Sequence, residues 1–338
     1  MTLTIESDTA PAPSPPGLTI RDFTPTDEEY AALAAVENAC YPEYPGTVEE
    51  WKHDDATRPE RIKFRRLVAE LDGAVVGAAS HSQFEGMYHP RRFSVSAIVH
   101  PAFQGRGIGR ALYARLLEAL ALHDPLSARA NVREDFARSV RFLADRGFVE
   151  DSRSWESRLD VATFDPAPFA GAEARAGAAG ITFATMDELQ RRDPDHRQKL
   201  YELDVEATKD EPHPEPITEP SRESYDGWVF DSPNYLPEGN FVALDGDRYV
   251  GMSTLRTSQA DPTELYVGFT GVLRDYRGKG IAMALKLKTI AFAKARGIAT
   301  IKTWNDSSNR PMLRINEALG FARQPAWISL LKQFQQHE

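Results

Sequence analysis

Two stretches of this chain match each other at one constant displacement, and that repeat constrains the fold more than any other feature. Val99-His-Pro-Ala-Phe-Gln-Gly-Arg-Gly-Ile-Gly109 recurs as Val272-Leu-Arg-Asp-Tyr-Arg-Gly-Lys-Gly-Ile-Ala282, displaced by 173 residues. Gly147-Phe148 pairs with Gly320-Phe321, and Leu71-Asp72-Gly73 with Leu244-Asp245-Gly246, at the same 173. That period is too long for a solenoid repeat. A chain of 338 residues can hold two domains that each bury a core. The repeat is therefore the duplication of a whole domain.

The boundaries follow from composition. The first unit opens at Gly17-Leu-Thr-Ile20 and the second at Gly180-Ile-Thr-Phe183, each a short β-type run after a polar segment. We expect a tail over 1–16, domains over 17–160 and 180–338, and a connector over 161–179 holding a short helix near Ala170 to Arg175. Both units show the same order of elements. A first strand leads to a helix (Glu28 to Ala39, Pro194 to Ala207), and polar, Pro-containing segments follow (Tyr41 to Arg58, Asp210 to Pro220). Asp72-Gly73 and Asp245-Gly246-Asp247 then sit between apolar runs, the signature of a hairpin. One more strand (Phe93 to Val99, Leu265 to Val272) runs into the glycine loop and a helix. This pattern predicts an α+β fold, with a mixed, mainly antiparallel sheet flanked by helices in each unit.

Composition excludes some classes of function. Hydrophobic residues at 41% and charged residues at 27% fit a soluble globular protein. No apolar run nears the roughly 20 residues of a membrane span, so a cytoplasmic location is expected. A single cysteine, Cys40, leaves no intrachain disulfide or cysteine zinc site, and the histidines lack ligand spacing, so no metal is expected. A net charge of −10 argues against nucleic acid as a partner and favours a cationic acceptor.

The glycine loop carries the chemistry. Glycines allow close backbone approach to a ligand, and the helix start that follows offers free N–H groups and a positive dipole end to a pyrophosphate. Arg106 and Lys279 add positive charge beside it. A dinucleotide-binding loop would follow the first strand of its unit, and these come late, after a hairpin. A Walker loop would need Ser or Thr after Gly-Lys. A tight turn with no ligand is the bland reading.

These residues resemble the acetyl-CoA signature of the GNAT acyltransferase superfamily, Gln/Arg-x-x-Gly-x-Gly/Ala, and the two-domain organisation resembles that of mycothiol synthase-like tandem GNAT proteins. Asn305-Asp-Ser-Ser-Asn309 through Gly320-Phe321 resembles the family's later strand-to-helix motif, of which the first unit keeps only the end. The resemblance implies an acetyl-CoA-dependent acetyltransferase. Val99, Thr270 and Val272 would lie along the pantetheine arm. Gln104, Gly105, Arg106, Gly107, Ile108 and Gly109 would hold one pyrophosphate, and Arg277, Gly278, Lys279, Gly280, Ile281 and Ala282 another. Asn305 and Asn309 would lie near the thiol end, although Asn309 could equally cap a helix. The tyrosine that many members use to protonate the leaving thiolate would fall at Leu143 and Asn316, and neither is an acid.

Direct transfer to an amine also needs a base. Glu264 is the candidate, with Tyr266 second; both share the parity of Val272 if no bulge intervenes. The acidic loop Asp210 to Glu219 stands where the family builds its acceptor pocket, unless it is merely solvated. The expected reaction is acetyl transfer to a small, amine-bearing acceptor, with the second unit as the catalytic one. The alternative is a non-catalytic acyl-CoA-binding or regulatory protein.

Overall fold

The computed structural model describes residues 15–335, so the expected tail over 1–16 falls almost wholly outside the described residues. The strands are β1 Leu18–Asp22, β2 Phe64–Leu71, β3 Ala74–Ser82, β4 Arg92–Val99, β5 Ser127–Arg133, β6 Val149–Asp160, β7 Ile181–Thr185, β8 Phe241–Asp245, β9 Arg248–Thr257, β10 Glu264–Val272, β11 Thr300–Asp306, β12 Ala322–Arg323 and β13 Trp327–Gln333. The helices are α1 Asp27–Cys40, α2 Val48–Ala56, α3 Ile108–Ala121, α4 Ala137–Ala144, α5 Ala172–Ala178, α6 Met186–Arg192, α7 His196–Thr208, α8 Arg222–Val229, α9 Ile281–Ala295 and α10 Arg310–Ala318. No helix among the described residues is long and apolar enough to cross a membrane.

Contacts divide the chain into two units. The first runs to Arg153 and adds Glu215–Thr218 and the segment from Trp327; the second is Ser154–Pro214 with Glu219–Ala326. In the first, the strand order is β1-β2-β3-β4-β5-β13; in the second it is β6-β11-β10-β9-β8-β7. The central pairs β4·β5 and β10·β11 are parallel, and their neighbours in each unit pair antiparallel. This arrangement departs from the sequence division at 160 and 180. The last strand of the chain completes the first sheet (Trp327 opposite Arg133, Gln333 opposite Ser127), while the second half of β6 completes the second sheet. The connector, with α5, belongs to the second unit.

Local chemistry explains the hairpin turns. Asp72 and Gly73 both take left-handed angles, φ 52° and 84°, as the two-residue turn between β2 and β3 requires. Helix α2 lies inside the segment expected to be irregular; Thr47 and Glu50 form a reciprocal capping box that starts it. Each long helix buries an apolar stripe on its sheet. Ile108, Leu112 and Leu116 of α3 pack on Ala69, Val76 and Ala79, and Ile281, Ala284 and Leu285 of α9 pack on Ala243, Val250 and Val272.

Candidate active sites

In each unit the paired parallel strands part company. β4 and β5 are joined only at Arg92–Ser127, Phe93–Ala128 and Ser94–Arg129, and β10 and β11 only at Glu264–Thr300, Leu265–Ile301 and Tyr266–Lys302. Beyond those pairs the facing backbone edges are open to an extended ligand. In the first unit this opening widens into a cleft of about 900 Å³, lined by Val95, Val99, Gln104, Gly107, Tyr113 and Leu143 among others. The volume suits a large cofactor.

The glycine loops lie where sequence places them. Gly107 and Gly280 are the N-cap residues of α3 and α9 and adopt left-handed angles, φ 89° and 80°, closed to most side chains. The next backbone N–H groups therefore point out of the helix start, an anion site by geometry and by dipole. Gln104 Nε2 and Arg277 Nε each donate to the carbonyl of the strand end, Val99 O and Val272 O, both at 3.0 Å. Arg106 bonds Ala102 O, and Lys279 lies over Tyr276. In the second unit Arg277 is also held by Asp210, which grips Arg274 as well, so an arriving phosphate must compete for it.

Asn305 and Asn309 have separate tasks. Asn309 Oδ1 accepts from Met312 N at 3.3 Å, so it caps α10. Asn305 Oδ1 accepts from Asn316 Nδ2 at 2.6 Å, and the Oδ1 of Asn316 is buried without a partner. Thr270 shares a hydroxyl bond with Ser253 at 2.9 Å.

A register shift between Val267 and Thr270 breaks the strand parity expected for Glu264. Leu265 and Val267 pack with Ile290 of α9, and so, past the bulge, does Val272 with Ile281 and Leu285. Glu264 and Tyr266 therefore face the opposite side of the sheet from Val272. There Glu264 Oε2 pairs with the buried Lys302 Nζ at 2.5 Å and accepts from Tyr266 Oη at 3.4 Å, while Tyr266 stacks on Trp304.

Two carboxylates escaped the sequence reading. Glu37 on α1 and Asp204 on α7 are both raised to about 7, in each case mainly by burial. Glu211 adds like charge to Asp204 and is itself raised by burial. Each stands one helical turn before a residue that touches the cofactor strand. Cys40 Sγ donates to Val99 O at 3.3 Å, and a Cβ on Gly271 would lie 3.0 Å from that of Ala207. Burial pushes the Cys40 thiol up to about 11, which suits an inert contact. The acidic loop is less solvated than its composition suggests. Glu215 is ion-paired with Arg92 in the first unit, and Tyr201 Oη donates to Glu219 at 3.0 Å in the second.

The model of the Acetyltransferase (GNAT) family matches residues 30–148 and again 198–321, well over half of the chain. The chain belongs to this family: it is an acetyltransferase, with acetyl-CoA as its acyl donor. It is, more particularly, a tandem GNAT protein of mycothiol synthase-like organisation. The mycothiol acetyltransferase of Streptomyces avermitilis is 26% identical over 90% of this chain and 91% of its own length. That of Thermobispora bispora is 27% identical over 67% of this chain and 71% of its own. A tandem GNAT protein from the clavulanic acid biosynthesis pathway has the same fold, with a TM-score of 0.73 at 21% identity, covering 95% of this chain and all of that one. The alternative of a protein that only binds acyl-CoA is not favoured by this company.

Proposed function

We propose that the chain acetylates a small, cationic amine by direct attack on the thioester of acetyl-CoA, and that the second unit performs the chemistry. In this reading the backbone of residues 104–109 and 277–282 holds a pyrophosphate in each unit, aided by Arg106, Lys279 and Arg277. Val99, and Thr270 with Val272, flank the pantetheine arms. The first unit's cleft favours cofactor binding there, but its wall near the thiol end is apolar, with Val132, Phe142 and Leu143. Their partners in the repeat include Asn305 and Asn316.

The observation that carries the proposal is Asp204, a half-buried carboxyl raised to about 7 on α7, which packs on the face of the sheet opposite α9, the face that also bears Glu264 and Tyr266. A base poised near neutral pH accepts a proton well without needing a strong base's charge. Asp204 takes the amine proton, while Glu264, anchored by Lys302, and Tyr266 line the approach of the acceptor. Relatives named mycothiol acetyltransferase support a small-molecule acceptor. The test is release of coenzyme A from acetyl-CoA in the presence of a panel of small amines, with calorimetric titration of acetyl-CoA alongside, in wild type, Gly107→Glu and Gly280→Glu. Loss of acetyl transfer with Gly280→Glu, and its survival in Gly107→Glu, is expected. The reverse result moves the chemistry to the first unit.

A further inference from the structure

The second unit buries a lysine that packing alone does not call for. Lys286 on α9 is 2% exposed, and its ammonium lies over the Phe321 ring, 5.3 Å from the centroid. No carboxylate or carbonyl among the described residues pairs with it. Its helix neighbours Leu285 and Ile290 are apolar, and a methionine would fill the same space without removing a charge from water. Burial alone lowers its pKa from 10.5 to about 8; no titratable side chain of the surrounding strands or helices contributes.

The repeat shows what this lysine faces. Tyr113, 173 residues earlier, lines the first unit's cleft beside Phe142 and Leu143, with its hydroxyl buried and unpartnered. Leu143 corresponds to Asn316, whose buried Oδ1 also lacks a partner. Phe321, the ring against Lys286, donates its N–H to Asn316 O at 3.0 Å. The Lys286 ammonium and the unpartnered Asn316 thus both border Phe321, and through the repeat they occupy the places of two residues, Tyr113 and Leu143, that line the first unit's cleft. Asn316 holds the place where the family's tyrosine would stand.

Resting on the proposed chemistry of the second unit, we propose that Lys286, with Asn316 beside it, is the acid that serves the leaving thiolate. The acceptor nitrogen forms its bond to the carbonyl carbon, the carbon–sulfur bond breaks, and its electron pair passes to sulfur. The Lys286 ammonium gives sulfur a proton, leaving coenzyme A as thiol and the lysine as neutral amine, which solvent reprotonates. Before protonation the same ammonium stabilises the thiolate.

The test uses the full chain carrying Gly107→Glu, so that only the second unit binds, with coenzyme A and desulfo-coenzyme A as probes. The preference for coenzyme A should grow as pH rises from about 7 to about 9.5, through the free thiol's pKa of about 8.5, and approach about tenfold where an ammonium lowers the bound thiol's pKa by about one unit. Lys286→Met should lose that growth and melt at a higher temperature, since the uncompensated charge is gone. An unchanged preference in Lys286→Met, or a lower melting temperature, overturns the proposal. If desulfo-coenzyme A binds neither protein, the assignment of cofactor binding to the second unit fails, and the lysine's role fails with it.

Discussion

Leu330→Ala, a change near the C-terminus, should destabilise the N-terminal unit. Leu330 sits on β13, 3% exposed, in a cluster with Phe93, Tyr113, Ala128, Val132 and Phe148 of the first unit. Its backbone pairs with Ala130 on β5, directly beside the cofactor cleft. Removing a buried leucine side chain costs about 2–5 kcal/mol, the transfer loss plus the cavity it leaves. A domain of this size is stable by about 5–15 kcal/mol, so the loss is a large share of one unit's stability. Hydrogen exchange locates the damage. Amides of β2 to β5 should lose protection, and those of β9 to β11 should keep theirs. The control is Leu313→Ala on α10, 3% exposed and inside the second unit, which should produce the opposite pattern. Loss of protection in β10 and β11 on Leu330→Ala would refute the strand exchange.

Asp204→Asn should lower acetyl transfer by about 10²–10⁴ and flatten the limb of the pH–rate profile that rises through about 7. The raised pKa also has a stability sign. The folded state binds the Asp204 proton more tightly than the unfolded one, so this residue's contribution is fully present below about 4 and is lost as pH rises through about 7. The Asn variant should therefore melt higher than wild type at pH 8, read by calorimetry. Asp210→Ala frees Arg274 and Arg277, and should tighten acetyl-CoA binding by the second unit, measured by titration in the Gly107→Glu background. Weaker binding would mean that Asp210 positions Arg277 instead of competing for it.

The features legible in the sequence are those fixed by short segments. The Asp72-Gly73 turn, the two glycine loops and the helices after them depend on a few neighbouring residues, and the duplication displays each twice. The capping box of Thr47 and Glu50 was also written in the sequence, inside a segment whose prolines drew attention away from it. Strand exchange was not legible, because β13 carries the alternation of any half-buried strand and its partner lies about 200 residues away. The bulge in β10 escaped for a related reason. Gly268 and Phe269 look like strand residues, yet a side chain at 268 would meet Thr254 Oγ1 at 2.7 Å, a constraint set wholly by the neighbouring strand. The carboxylates Glu37 and Asp204 lie on helices whose sequences show only polar residues at those positions. What raises them is burial, a tertiary property.

The exchange of strands also bears on why two units persist in one chain. β6 supplies the sheet edge of the second unit and β13 that of the first, so neither unit can be cut out at the 161–179 connector without losing a strand. A unit tied in this way can lose catalytic groups and still be required for folding. That fits the contrast at two matched places: Val132 and Leu143 in the first unit, against Asn305 and Asn316 in the second. A buried lysine without an ion-pair partner and an unsatisfied amide are costly to fold, a cost that the proposed chemistry of the second unit would explain. On the proposed assignment of the chemistry to the second unit, the duplication lets one copy supply a packed cleft and a strand while the other carries the polar groups.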